Sequence, residues 1–352
     1  MENSYKNLIT RASRGSESAK SEILSRQSSY KDTKLSGLAG EKVVFRYTDF
    51  LAESDKFIYK EIRNIGSKLK VKDSIMLDCF SSATIEGART TVEKVKQVFN
   101  APVSKDDKMV INTIKAQNLV YNSGISDNNI RNIWELIVDG VCENKNVMGD
   151  KYRSGDVFVG SLTRIIHTPE KYYNIERRMC ELFNYINNSS SSIIKACSVH
   201  FYFVYIHPFC DGNGRFARLW MNYILSQISS NFKGVVISRE INNDLARYYS
   251  SLSESEFSYD GIIDITVFIE YMFNCIINAI EYNKYKKYES LSSIEQRVLD
   301  KMKKNSSGIT AKKLGSILGI SINKSRYLLN GLVNKRYLYV DKSSREYRYF
   351  IK

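Results

Sequence analysis

At 352 residues, with 43% hydrophobic and 26% charged residues, the chain has the make-up of a soluble globular protein of about two or three domains with a substantial core. No apolar run approaches the roughly 20 residues of a membrane-spanning helix, the opening "MENSYKNLITRASRGSES" has no apolar leader segment, and the six cysteines form no CxxC pair. These features argue against a membrane span, a secretory leader, a thiolate metal site and a disulfide framework, and the expectation is a cytoplasmic protein with free thiols. The net charge of +14 is concentrated, with 13 Lys/Arg against 3 Asp/Glu between Asp300 and Lys352. A basic C-terminal module suits nucleic acid or another acidic partner.

Only three prolines interrupt the chain, and apolar residues recur mostly at three- and four-residue steps, so a mainly α protein is expected. The first fifty residues show weak periodicity and read as partly extended or mobile. Helical pattern then runs from about Ser54 through "KFIYKEIRNIGSKL" into "SIMLDCFSSATIEG", where Gly87 reads as a stop and Thr90 with Glu93 as a capping box for "TVEKVKQVF". In "DVFVGSLTRIIHTPE", β-branched residues flank a Gly-Ser turn, the pattern of a short hairpin over Asp156–Ile166. Helical pattern returns at "NIERRMCELFNYI" and "SSIIKACSVHFYFVYI". Ser292 with Glu295 forms another capping box, opening a last module of three helices and a hairpin. Gly319 stands at the tight turn of a helix-turn-helix, and the alternation in "YLYVDKSSREYRYFI" supplies a wing. Such a winged helix either docks DNA through Lys324, Arg326, Lys335 and Arg336 or contacts protein while its basic face stays solvated.

The densest chemistry lies in "HPFCDGNGRFAR", His207–Arg218. Gly212 and Gly214 permit positive φ, so the N–H groups of the Asp-Gly-Asn-Gly-Arg turn can converge on one anion. The amphipathic "GRFARLWMNYILSQI" makes that turn a helix N-terminus, where the dipole also favours phosphate. Arg215 and Arg218, three apart, suit a ligand with more than one phosphate, because guanidinium forks grip phosphate oxygens. Asp211 is the natural acid to hold a magnesium ion bridging those phosphates. His207 is the group here able to take a proton near neutral pH.

This stretch is similar, position for position, to the HPFx(D/E)GNGRxxR signature of Fic domains. The resemblance implies a Fic fold, a helical core with a β-hairpin flap, and transfer of AMP from ATP to Ser, Thr or Tyr hydroxyls of proteins. Carried over residue by residue, it implies His207 as general base, Asp211 as magnesium ligand, Gly212, Asn213 and Gly214 as the anion hole, and Arg215 and Arg218 as β- and γ-phosphate contacts. Phe209 would anchor the loop, the hairpin would pair with the target backbone, and His200 reads as a hydrogen-bonded core histidine. "ISREINNDLARYYSSL" resembles the segment whose second tyrosine, here Tyr249, lies near the adenine. In "SSATIEG", Ser82, Glu86 and Gly87 fit the (S/T)xxxE(G/N) inhibitory motif of one Fic class, which implies that Glu86 pairs with Arg218 and holds ATP unproductively. The expected organisation is an N-terminal helical region with the inhibitory motif (1–100), a Fic catalytic domain (101–290) and a winged helix (291–352). Two rival activities are removal of AMP, with Glu86 orienting a water, and DNA-binding regulation with a nucleotide-sensing Fic site. The target protein is unidentified; self-modification, a homodimer and DNA at the winged helix are the other partners considered.

Overall fold

Ser16 accepts a hydrogen bond from the Ala19 N–H and so separates α1 (Tyr5–Ser13) from α2 (Glu17–Gln27). Within the N-terminal fifty residues the first half is helical and the second half, as expected, is largely extended. Tyr5, Leu8, Ala19 and Ile23 give the two helices a small core of their own, too sparse in apolar residues for periodicity to reveal. The computed structural model describes residues 5–65, 71–99, 104–142, 145–161, 164–288, 293–303, 308–334, 337–341 and 347–351.

β1 (Tyr30–Ser36) and β2 (Lys42–Arg46) follow, then α3 (Asp49–Ile65) and α4 (Val71–Ile85). α3 begins five residues ahead of the expected Ser54, with Thr48 Oγ1 accepting from the Leu51 N–H at 3.3 Å. α4 stops as expected at Gly87, whose φ of +91° lets its N–H reach Thr84 O (2.9 Å) and the Ala88 N–H reach Ala83 O (3.1 Å). The next cap is shifted by one residue. Thr91, not Thr90, accepts from the Lys94 N–H and starts α5 (Val92–Gln97), because the Thr90 hydroxyl donates instead to the buried Asp107 carboxylate at 2.5 Å.

α6 (Lys105–Ser123) and α7 (Ile130–Val138) lead to the hairpin of β3 (Val159–Ser161) and β4 (Arg164–His167). Gly160 and Ser161 lie within β3 rather than at its turn, and the register slips at Gly160. α8 (Ile175–Asn188), α9 (Ile193–Ile206), α10 (Asn213–Ile228), α11 (Ile237–Asn243) and α12 (Leu245–Ser255) come next, then β5 (Ser258–Tyr259), β6 (Ile262–Asp264) and α13 (Thr266–Tyr288). A four-stranded sheet of order β1-β2-β6-β5, with β2 and β6 parallel, ties the N-terminal region to the end of the first compact unit, Met1–Ile280.

α9 is buried nearly all round, the property of a central helix. Its Phe203 stacks on Phe216 of α10 (4.9 Å between centroids), and Phe209 between them stacks on Trp134 of α7 (5.2 Å). Burying Phe209 completely is worth about 1.5–3 kcal/mol, which holds the α9–α10 connection in the core.

The second unit, Glu281–Lys352, has a separate core of Val298, Leu299, Met302, Ile309, Leu314, Leu329, Leu332, Leu338 and Tyr349. Its elements are α14 (Ser293–Lys303), β7 (Ile309–Thr310), α15 (Ala311–Leu318), α16 (Ile322–Asn334), β8 (Leu338–Asp341) and β9 (Arg348–Ile351), with strand order β7-β9-β8. Ser292, Lys335 and Arg336 lie outside the described residues.

Candidate active site

The connection between α9 and α10 is held by four independent side chains. Asn213 accepts from the Phe209 N–H (3.0 Å) and donates to the Phe209 carbonyl (2.8 Å), closing the loop on itself. Trp134 Nε1–H donates to Asp211 O at 2.9 Å. Arg153, wholly buried at its side chain, donates from Nε to His207 O (2.8 Å), and its backbone N–H bonds Pro208 O (3.0 Å). Arg215 donates from Nη1 to Ile137 O at 3.0 Å. This bracing holds His207 in a left-handed conformation (φ +52°, ψ +64°), which costs a non-glycine residue of order 1–3 kcal/mol.

His207 Nδ1 lies 3.1 Å from Val204 O. A carbonyl can only accept, so Nδ1 carries the proton and Nε2 keeps its lone pair. Removal from water pushes the imidazole down to about 4, against the opposing bond to Val204, with the charges of His167 and Arg153 adding to the depression. At neutral pH the ring is an unprotonated base.

Gly212 has φ +79° at the N-cap of α10, as its place in the turn requires. Gly214 differs from expectation. It lies inside α10 with no positive φ, and a methyl group there would overlap the Glu86 carboxylate. Gly214 is needed for close approach rather than for backbone freedom. The first-turn N–H groups of Asn213, Gly214 and Arg215 have no intrahelical acceptor, the usual condition at a helix start and one that suits an anion.

α4 runs against α10 as an antiparallel pair with three polar contacts, each a helical turn apart. At the inner end, buried Asp78 accepts from Asn222 Nδ2 (2.8 Å), the Ser238 N–H (2.7 Å) and the Ser238 hydroxyl (2.9 Å), while burial raises its carboxyl above the usual range. In the middle, Arg218 donates from Nε to Ser82 Oγ (2.8 Å) and from Nη2 to Ser82 O (3.0 Å). At the open end, Arg218 Nη2 donates to Glu86 Oε1 at 2.6 Å. The Arg218 side chain is 1% exposed and that of Glu86 33%. Burial would raise the Glu86 carboxyl, but the charge and hydrogen bond of Arg218, with Arg215 and His207 behind, hold it below the usual carboxylate range. Arg218 Nη1 and Arg215 Nε are buried without a hydrogen-bond partner among the described residues. Two buried guanidinium donors are therefore left unsatisfied.

The two arginines are not free forks on the helix surface. Both are buried, and Arg215 directs Nη1 and Nη2 at Ile137 O and Asp211 Oδ1 (3.5 Å). Asp211 Oδ1 also accepts from the Gly212 N–H at 2.5 Å, and its side chain is 46% exposed. Among the described residues no cluster of three His, Cys, Asp or Glu converges as a metal site. The donor set fits a magnesium ion of another kind, one bound through a single carboxylate together with phosphate oxygens and water.

His200 is fully buried and lies 2.9 Å from the Tyr248 hydroxyl; burial first, then the charge of Arg218, pushes it well below its ordinary value. It is a neutral core histidine. Tyr248 is the buried member of its pair, and Tyr249, half exposed, packs against it at 5.1 Å between centroids. Sequence reasoning missed Arg153, Trp134, Asp78 and Asn222. A signal existed for the last two, since Asp78, Ser82 and Glu86 repeat every four residues, as do Gly214, Arg218 and Asn222. Arg153 gave none, being an isolated loop arginine far along the chain from His207.

Residues 125–225 match the model of the Fic/DOC family. The chain is 25% identical over 244 residues to a protein adenylyltransferase Fic of Nematostella vectensis, covering 64% of this chain and 53% of that one. It is 31% identical over 150 residues to protein adenylyltransferase fic-1 of Caenorhabditis briggsae, covering 39% and 27%. The chain thus spans about half the length, or less, of these curated relatives. Among solved structures, a Fic family protein from Desulfovibrio desulfuricans superposes with a TM-score of 0.59 at 19% identity, covering 87% of this chain and 96% of that one. Fic-1 of C. elegans gives 0.54 at 18%, covering 68% and 73%. The fold is the Fic fold, and residues 125–225 match the Fic/DOC family.

Proposed function

We propose that the protein is an adenylyltransferase that moves AMP from ATP to a Ser, Thr or Tyr hydroxyl of a protein, and that Glu86 restrains it. The observation that carries this reading is a neutral, rigidly braced His207 next to the start of α10, with Arg218 of that helix clamped by a carboxylate from α4. The triphosphate would lie along the first turn of α10, with Arg218 reaching the γ-phosphate and Arg215 acting mainly through its charge, because two of its nitrogens are engaged. The hydroxyl oxygen attacks the α-phosphorus in line, its proton passes to His207 Nε2, and the bond to the β-phosphate oxygen breaks to release pyrophosphate. Magnesium at Asp211 would neutralise phosphate charge. Holding the reactants in line beside fixed N–H dipoles supplies most of the catalysis.

Tyr249 at the rim would flank the adenine, and the β3–β4 hairpin would add a strand of the target to its free edge. The relatives named adenylyltransferases support the activity for this chain. The proposed setting is cytoplasmic, where ATP and reduced thiols are both supplied; no helix among the described residues is long and apolar enough to cross a membrane. The test is incubation of the protein and its Glu86→Gly variant with a cell lysate and each α-labelled nucleoside triphosphate. Protein labelling from ATP is expected, and no labelling by either form would sink the reading. Release of AMP from a labelled protein by the wild type, lost in Glu86→Gly, would replace it with the hydrolytic reading.

A further inference from the structure

The second unit carries a surface whose chemistry the proposed AMP transfer does not explain. α15 ends at Gly319, whose φ of +66° turns the chain, and the Ile320 N–H bonds back to Gly315 O at 3.0 Å. A Cβ at Gly315 would lie 2.8 Å from the Ile320 carbonyl and 3.2 Å from Ser325 Oγ, so its absence lets α16 cross closely over α15. Ser321 starts α16 by accepting from the Lys324 N–H at 3.2 Å. On the inner face of α16, Ser325, Leu328, Leu329 and Leu332 are buried. On the outer face, Asn323, Lys324, Arg326, Tyr327 and Asn330 are all exposed, Tyr327 at 79%.

That outer face is distinctive in chemistry. It spans two turns, contains amide, cationic and aromatic side chains, and has no carboxylate. Lys312 and Lys313 are exposed on the first turn of α15. Tyr349 of β9 donates from its hydroxyl to Asn330 Oδ1 at 2.9 Å, fixing that amide on the surface. Asp300–Lys352 carries 13 basic residues against 3 acidic, a charge imbalance that the folding of such a small unit does not require.

We propose that α16 is a recognition helix that enters the major groove of double-stranded DNA. The groove of B-DNA is about 12 Å wide and admits one helix, whereas that of A-form RNA is too deep and narrow, so the occupant is duplex DNA. Lys324 and Arg326 pair with phosphates or guanine edges, Asn323 reaches base edges, and Lys312 and Lys313 contact the flanking backbone. This goes beyond the reading of the first unit and does not depend on it.

The experiment is fluorescence anisotropy of a labelled mixed-sequence duplex of about 25 base pairs with the full-length protein, between about 50 and 200 mM salt. Binding that weakens steeply with salt is expected. The pair Lys324→Ala/Arg326→Ala should weaken it about ten- to a hundredfold and flatten the log–log salt slope by about one for each of the two side chains that neutralises a phosphate. Both positions are exposed, so thermal melting should be unchanged. The control pair Lys56→Ala/Lys60→Ala, on the exposed face of α3, removes the same charge elsewhere. No binding at the lowest salt overturns the proposal, as does equal loss in the control pair. Retention of an acidic polypeptide with duplex DNA failing to compete overturns it in favour of a protein partner. His207→Ala should bind DNA as the wild type does, which separates this result from any failure of AMP transfer.

Discussion

The two ends of the α4–α10 contact are built from similar groups and behave as opposites. At the inner end Asp78 is 5% exposed and satisfied three times over, by two elements, α10 and α11. At the outer end Glu86 sits on the last turn of a helix that stops at Gly87, a third of its side chain meets water, and its hydrogen-bond partner is Arg218. A carboxylate at a helix C-terminus also opposes the dipole, so Glu86 depends on that arginine in a way Asp78 does not. The same helix is thus fastened at one end and latched at the other. A latch can be released without unfolding the protein; a fastening cannot.

The latched end can govern transfer only if His207 is the base, and removing that base should give the largest effect. His207→Ala is expected to leave less than a few per cent of AMP transfer while ATP still binds, since the phosphate contacts proposed above come from α10 and Arg218. In that background Glu86→Gly should recover nothing. Protonation disables the base, and the free-enzyme imidazole titrates at about 4 rather than near 6.5. The acid limb of kcat/KM should therefore lie well below pH 6.5, with the rate falling only as pH approaches about 4. A limb at or above 6.5, or substantial transfer by His207→Ala, would give the proton to another group.

Releasing the latch comes next. Glu86→Gly frees Arg218 Nη2 for phosphate and should raise self- or target-labelling. Partial exposure screens the pair, so a release worth about 1.4–2.8 kcal/mol, or ten- to a hundredfold, is expected. Arg218→Ala should not imitate it, because that change removes the phosphate partner as well, and the double variant should resemble Arg218→Ala. Unchanged activity in Glu86→Gly while ATP binds would remove the latch.

The signature residues and the Ser82–Glu86–Gly87 stop were legible because each needs a particular residue type at a particular spacing. The bracing was not. Arg153, Trp134 and Asn213 act on backbone carbonyls or N–H groups, and a carbonyl leaves no mark in the sequence at the position that supplies it. The role of Gly214 was hidden for a related reason. A glycine demanded by a neighbour's side chain looks the same as one demanded by its own φ. In the N-terminal fifty residues, the small Tyr5–Ile23 core and the long-range β2–β6 pairing decide the structure, and neither shows as local period.

The fastened end should respond in stability rather than in rate. Asp78→Ala leaves the Ser238 N–H and Asn222 amide without their buried acceptor and should cost about 2 kcal/mol, read as a lower melting temperature. Activity per folded molecule should stay within about twofold of wild type. If Asp78→Ala instead activates as strongly as Glu86→Gly, the two ends are one device and the contrast between them fails.

The smallest effect lies between the ends, at Ser82. Its hydroxyl accepts from Arg218 Nε at 2.8 Å and its carbonyl from Nη2 at 3.0 Å, so one residue steadies the arginine through both side chain and backbone. Ser82→Ala deletes only the first bond. Arg218 keeps Glu86 and the carbonyl, but Nε becomes a further buried donor without a partner beside Nη1. A bond to a charged donor contributes about 1–2 kcal/mol net, and part of that loss falls on the nucleotide-bound state too, where Arg218 must still be positioned. The expected gain in labelling is therefore only about two- to fivefold, with a fall in melting temperature of a few degrees. Phosphate binding should satisfy the freed donor, so KM for ATP should fall more than kcat rises. A Ser82→Ala variant as active as Glu86→Gly would place the restraint in the serine rather than the carboxylate. A variant less active than wild type would mean that Ser82 holds Arg218 ready for ATP instead of away from it.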